Sequence, residues 1–258
     1  MTGSIDIRAA EPRLEYVLRL ADNALVLGQR LGEWCGKGPA LEEEMALVNF
    51  ALDLVGQARM LLSYAAELEG AGHSEDDLAF LRDGMDFRNL LLVELPNRDF
   101  AFTIVRQCLF DLYQCGLYEE LQRSGDSRLA EIAAKASKES RYHLQHSAGW
   151  FVRLGDGTAE SHERVQAALD RIWRYTGELF ETDDVETALV AEGIAADPAV
   201  LRTEWDNQLD RILREATITR PADDGMASGG RHGRHTEHLG YMLAEMQFLQ
   251  RAYPGASW

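Results

Sequence analysis

Between Lys138 and Trp150 the chain reads KESRYHLQHSAGW, a carboxylate and two imidazoles within eight residues. At about 100° per residue, Glu139, His143, His146 and Trp150 share one side of a helix while Arg141 faces away. Carboxylate and imidazole on the face that also carries a tryptophan predict an interior site with the donors a transition metal takes. Four-helix bundles build carboxylate-bridged metal pairs from a Glu on each of two helices and a Glu-x-x-His on each of the other two. Here the motif reads Glu139-x-x-Tyr142, with a phenol in place of the imidazole. His143 stands one position, about 100°, out of register.

The elements that would position such a site are helices. Six prolines in 258 residues, and long Ala-, Leu-, Glu- and Arg-rich stretches of 3.6 period, predict an all-α chain. A first helix is expected from Glu11–Pro12 to about Trp34, with proline in its first turn. A second runs from Pro39 to about Gly70. Its expected apolar face holds Met45, Leu52 and Met60 together with Asn49, Asp53, Gly56 and Gln57, so Asp53 reads as a buried carboxylate needing a partner. A short helix follows its cap at Ser74–Asp77, and Phe87–Val93 is a brief apolar run. Phe100–Gln122 forms the third long helix, capped by Asp99 or Asn97. The fourth, after Gly125-Asp126-Ser127, carries the opening stretch and ends at Gly155. Further helices are expected at Ala159–Phe180, Val185–Ala195, Pro198–Thr217 and His235–Tyr253. Thr219–Gly233 reads as an exposed loop. The expected organisation is one domain over residues 1–258, with a core bundle at about 11–155 and peripheral helices at about 158–253.

In a bundle of this kind, ligands on antiparallel neighbours lie about thirty residues apart. Counting back from Asp53 reaches Asn23, and from Glu139 reaches Val105–Arg106. The ligand positions then hold Asn23, Asp53, Gly56, Arg106, Glu139 and Tyr142. Two are carboxylates, and an arginine repels a metal pair. One reading has Asp53 and Glu139 satisfied by Arg30, Arg106 or His143 in a metal-free core. The other is a stand-alone metalloprotein with an atypical site at Glu139, His143 and His146. His235 and His238 at i,i+3 resemble a ligand pair, although capping and packing explain them without a third ligand.

The formal net charge of −17 disfavours nucleic acid and anionic membrane surfaces as partners. No run of about 18 apolar residues stands out, and MTGSIDIRAAEPR has no apolar signal core. Three cysteines, Cys35, Cys108 and Cys115, without a C-x-x-C pair suit a reducing cytoplasm.

The runs LGQRLGEWCG (27–36), NFALDLVGQAR (49–59), LSYAAELEG (62–70), NLLLVELPN (89–97), KESRYHL (138–144), IWRYTGELF (172–180) and HTEHLGYMLAEMQFLQRAYPG (235–255) resemble the phenylacetyl-CoA epoxidase family, over nearly the whole chain. Within it the chain is similar to the non-catalytic structural subunits. The resemblance implies a ferritin-like four-helix bundle with added peripheral helices and no metal of its own. It also implies a partner of the same fold carrying the di-iron centre, in a heterodimer doubled into a heterotetramer. The family's reaction places one atom of O₂ across the ring of phenylacetyl-CoA, giving the 1,2-epoxide. Electrons come from NADPH through a separate flavin and iron–sulfur reductase. By the same resemblance, the substrate thioester meets this subunit at Asp86-Phe87-Arg88-Asn89 and Thr187-Ala188-Leu189. There Arg88 would reach a phosphate and Phe87 would stack on adenine. Asp86 and Arg88 depart from the neutral polar residues usual in the family.

Two surface features remain. The loop Gly229–Arg234, ahead of the last helix, offers free backbone and two arginines to an anion. The partner-binding surface is expected on the first two long helices, at Leu25, Val26, Leu27, Leu31 and Trp34, then Phe50, Leu54, Met60, Leu61 and Tyr64.

Overall fold

A computed structural model describes residue 5 and residues 11–256. Apart from Ile5 and its last three residues, the N-terminal stretch read above lies outside the described residues. All regular structure among the described residues is helical. Eleven α-helices follow one another among the described residues: α1 Pro12–Gly32, α2 Leu41–Glu69, α3 Glu75–Phe80, α4 Leu91–Glu94, α5 Phe100–Leu121, α6 Ser127–Gly155, α7 Ala159–Ile172, α8 Asp184–Ala191, α9 Pro198–Glu215, α10 Glu237–Met246 and α11 Phe248–Ala252. Packing groups the chain into two compact units, residues 1–96 with 229–258 and residues 97–228.

Local chemistry sets most helix boundaries. Pro12 occupies the first turn of α1, where its missing N–H costs nothing. Ser74 and Asp77 form a reciprocal capping box on α3. Asp99 accepts the Phe102 N–H at 2.8 Å at the start of α5, and Asp126 accepts the Leu129 N–H at 3.0 Å at the start of α6. Gly70 closes α2 in the left-handed conformation. The expected helix over Ala159–Phe180 gives way after Ile172 to two 3₁₀ turns. The expected last helix is interrupted at Gln247, whose buried amide donates to the Ala79 and Arg82 carbonyls at 3.1 and 3.0 Å.

In the first unit α1 and α2 form an antiparallel hairpin. Gly28 fits so tightly against Ala51, Leu54 and Val55 that an added methyl would lie 3.2 Å from Val55 Cγ2. Helix α1 is buried on nearly every side, whereas α2 buries one stripe, Leu47, Phe50, Ala51, Leu54, Gln57, Ala58, Leu61 and Ala65. In the second unit α5 is likewise buried almost throughout, covered by α6, α7 and α9. Trp205 of α9 anchors that layer by donating its indole N–H to the Leu109 carbonyl at 2.9 Å.

Candidate functional site

The six positions read from the spacing do not converge. Asn23 is buried, and its side-chain oxygen accepts the Leu90 N–H at 2.8 Å. Asp53 is only half-buried, and Gly56 is exposed, with nothing within 4 Å of where a Cβ would stand. The expected apolar face of α2 is therefore mostly its outer face; the hairpin register places Leu54, not Asp53, against α1. Arg106 is buried and donates to the Asn97 side-chain oxygen at 2.8 Å. Glu139 is half-buried, and Tyr142 is 60% exposed.

Register accounts for the misfit in the second hairpin. Ser147 donates to Asp111 at 2.7 Å and Ser140 to Gln114 at 3.3 Å, which levels Arg106 with about residue 150 and Glu139 with about residue 117. Arg106 and Glu139 thus stand about eleven residues, roughly 16 Å, apart along the pair. The inward face of α6 is Ala136, Ser140, His143, Ser147 and Phe151, rotated from the expected one, with His146 and Trp150 half-buried at its edge. Among the described residues no three His, Cys, Asp or Glu side chains come together at metal-ligand spacing. A di-iron pair does not fit the six positions: glycine offers no donor, arginine is cationic, and the Tyr142 ring lies in solvent.

What the helices bury instead are two polar networks. In the first unit Asp22, next to Asn23, binds the guanidinium of Arg82 through both oxygens, one bond at 3.0 Å, with both side chains fully buried. Asp22 also accepts the Arg88 N–H at 2.8 Å. Arg82 stacks 4.4 Å above the Phe87 ring. The Glu94 carboxylate, fully buried, accepts from Asn89 at 3.0 Å and from the Thr236 N–H at 2.6 Å, and meets His235 Nδ1 at 2.9 Å. Its placement at the start of α10 supplies the negative charge that a helix N-terminus favours.

In the second unit the buried carboxylate is Asp111. Gln107 donates to one oxygen at 2.7 Å and Ser147 to the other. Complete burial outweighs both bonds and pushes the Asp111 carboxyl from 3.8 up to about 7. Burial, and then the nearness of Asp111, also raises the Cys108 and Cys115 thiols. The signal for this network was in the sequence: Gln107, Asp111 and Gln114 recur at i, i+4 and i+7 within an otherwise apolar helix.

The two segments expected to meet the thioester differ in kind. Phe87 and Asn89 are fully buried, and Asp86 and Arg88 nearly so. Arg88 pairs with Glu15 at 3.0 Å and donates to the Met85 and Phe87 carbonyls at 2.9 Å each. Its guanidinium is thus engaged inside the first unit, and the Phe87 ring is covered by Arg82, so the expected phosphate and adenine contacts do not describe these side chains. On α8, Thr187 and Ala188 are exposed and Leu189 is buried. The Gly229–Arg234 loop also serves packing. A methyl on Gly230 would lie 2.1 Å from the Asn89 carbonyl oxygen, and one on Gly233 2.2 Å from that of Met85. The anion at the start of α10 is Glu94 of the chain itself. His235 bridges Glu94 and the Phe87 carbonyl, while the His238 carbonyl accepts from Arg30 at 3.1 Å.

With the ligand positions dispersed and the buried carboxylates held by protein groups, comparison with known proteins becomes informative. Residues 4–258 match the family described as Phenylacetic acid catabolic protein. The chain belongs to this family. Over 243 residues it is 54% identical to the C component of 1,2-phenylacetyl-CoA epoxidase from Escherichia coli (strain K12), an alignment covering 94% of this chain and 98% of that one. Membership agrees with the all-α, ferritin-like architecture expected from the sequence.

Proposed function

We propose that this chain is the non-catalytic structural subunit of a multicomponent phenylacetyl-CoA 1,2-epoxidase in aerobic phenylacetate catabolism. It pairs with a di-iron catalytic subunit of the same fold as a heterodimer, doubled into a heterotetramer, and works in the cytoplasm. The observation that carries the proposal is the full-length likeness to a component of that epoxidase. The non-catalytic part draws on the six positions, where Gly56, Arg106 and the exposed Tyr142 supply neither the charge nor the nitrogen ligands of an iron pair. The chain's contribution is mechanical. Its buried ion pairs and packed helices need no metal to be satisfied, so it offers a preformed surface that stabilises its partner by mass action. Oxygen chemistry belongs to the partner's iron, and NADPH electrons reach it through the separate flavin and iron–sulfur reductase.

The test is to purify the chain alone and together with the candidate catalytic subunit, then measure iron and phenylacetyl-CoA epoxidation with reductase and NADPH. Activity and iron are expected only when the partner is present. Stoichiometric iron in the isolated chain, lost on Glu139→Ala, would overturn the proposal, as would epoxidation by this chain with reductase alone.

A further inference from the structure

The residues expected to form the partner surface are, apart from the half-buried Met60, already core: Leu25, Val26, Leu27, Leu31, Trp34, Phe50, Leu54, Leu61 and Tyr64 are all buried within the first unit. The outer face of α2 holds a different set. Leu41 is 69% exposed, Met45 57%, Leu52 65% and Val55 39%. At about 100° per residue these four fall, with the half-buried Val48, on one stripe less than a quarter-turn wide. An 18-residue window of α2 reaches a mean hydropathy of 1.3, yet only 44% of it is buried. Gly56 lies on the same face with open space around its missing Cβ. Glycine weakens a helix interior, and on an apolar face it permits a second helix to come close.

The edge of the stripe says what covers it. Glu42, Asp53 and Glu67 follow one another along one side of the apolar residues. Two antiparallel copies of α2 packed about a twofold axis would bring that acidic edge against itself, and copies in either orientation would join chains that each carry a net charge of −17. A partner with basic side chains along its docking helix meets the opposite situation. Size discriminates further. The stripe runs about 22 Å along α2 and about 10 Å across, roughly a quarter of the 800 Å² per side of a standard interface. A lone peptide helix would fill it without reaching that area, whereas a folded helical subunit extends past its rim.

We propose that the outer face of α2 (Leu41, Met45, Leu52, Val55 and Gly56) docks a helix of a folded partner subunit that carries Lys or Arg opposite Glu42, Asp53 and Glu67. The inference rests on the reading of the chain as an epoxidase subunit, and takes the di-iron subunit as that partner. The experiment compares binding of the candidate catalytic subunit to the wild-type chain and to Met45→Glu/Leu52→Glu, at side chains 57% and 65% exposed, by calorimetry, with circular dichroism of each variant alone. Both sites are solvent-facing, so the double variant should keep its helicity and melting temperature while losing about a hundredfold in affinity. Tyr241→Glu/Phe248→Glu, on the exposed faces of α10 and α11, should bind as the wild type does. Glu42→Lys/Glu67→Lys should slow association about tenfold at low salt; unchanged association removes the basic edge from the proposal. If the wild-type chain does not bind the catalytic subunit, the functional reading fails. If it binds and Met45→Glu/Leu52→Glu binds equally, the α2 assignment is wrong. If the wild-type chain alone sediments as a dimer that this variant breaks, the occupant is a second copy and the proposal is overturned.

Discussion

Replacing Asp111 by Asn should make this protein more stable at neutral and alkaline pH. The carboxyl is fully buried, and its rise from 3.8 to about 7 means that the folded state holds a proton the unfolded chain has released. Stability from this group is complete below pH 3.8, declines as pH rises, and is lost above about 7. A rise of that size corresponds to about 4 kcal/mol, of which roughly 3 kcal/mol falls between pH 5 and pH 8. Asparagine keeps the shape and the bonds without the charge. Its oxygen accepts from Gln107, its amide donates to Ser147, and the Ser147 hydroxyl turns to the Leu144 carbonyl 3.5 Å away. Urea unfolding of both proteins at pH 5, 6, 7 and 8 measures the difference. The advantage of the variant should grow by about 3 kcal/mol across that range. A constant difference from pH 5 to pH 8 would refute this account, because it would mean that the folded carboxyl has already lost its proton below pH 5.

Other substitutions probe the remaining features. Arg82→Leu leaves the buried Asp22 side chain without its guanidinium, and should cost about 3–5 kcal/mol in denaturant unfolding; a loss under about 1 kcal/mol would contradict a tightly buried pair. Gly233→Ala places a methyl against the Met85 carbonyl at a backbone φ of 71°. It should destabilise by more than about 1 kcal/mol and speed amide exchange around Thr236, and an unchanged exchange pattern would contradict the tight fit. Tyr142→Ala, at a solvent-facing ring, should change stability by no more than about 0.5 kcal/mol; a large loss would return Tyr142 to the core.

The sequence announced the helices through local chemistry, because caps such as Ser74, Asp99 and Asp126 act within three residues of themselves. The phase of each helix was legible only where one face is clearly polar. Helix α6 satisfies that condition, so its pattern puts His143 inside correctly and misses the neighbours by a fraction of a turn. Helix α2 does not: Met45 and Leu52 outside are as apolar as Leu47 and Leu54 inside, and no periodicity can choose between two apolar faces. That ambiguity put Asp53 in the core and Leu54 on the surface. The polar network of the first unit was hidden for another reason. Asp22 and Arg82 stand 60 residues apart, and Glu94 and Thr236 stand 142 apart. Spacing rules for one helix, or for one hairpin of assumed register, have no access to such pairs.

The Glu94 bridge also bears on how the chain is made. Synthesis delivers α1 to α4 first, then all of residues 97–228, and only then the segment that completes the first unit. Until Thr236 and His235 leave the ribosome, Glu94 lacks two of its partners, and the carbonyls of Met85 and Asn89 lack the glycine turn that covers them. The second unit has every one of its residues in hand about thirty residues earlier. A chain arrested or truncated near residue 228 would therefore carry a finished second unit beside an open first one. Limited proteolysis of such a fragment should cut first around residues 84–95 and spare α5 to α9. The last thirty residues act as the closing piece of the first unit, and their loss would be felt at the opposite end of the sequence.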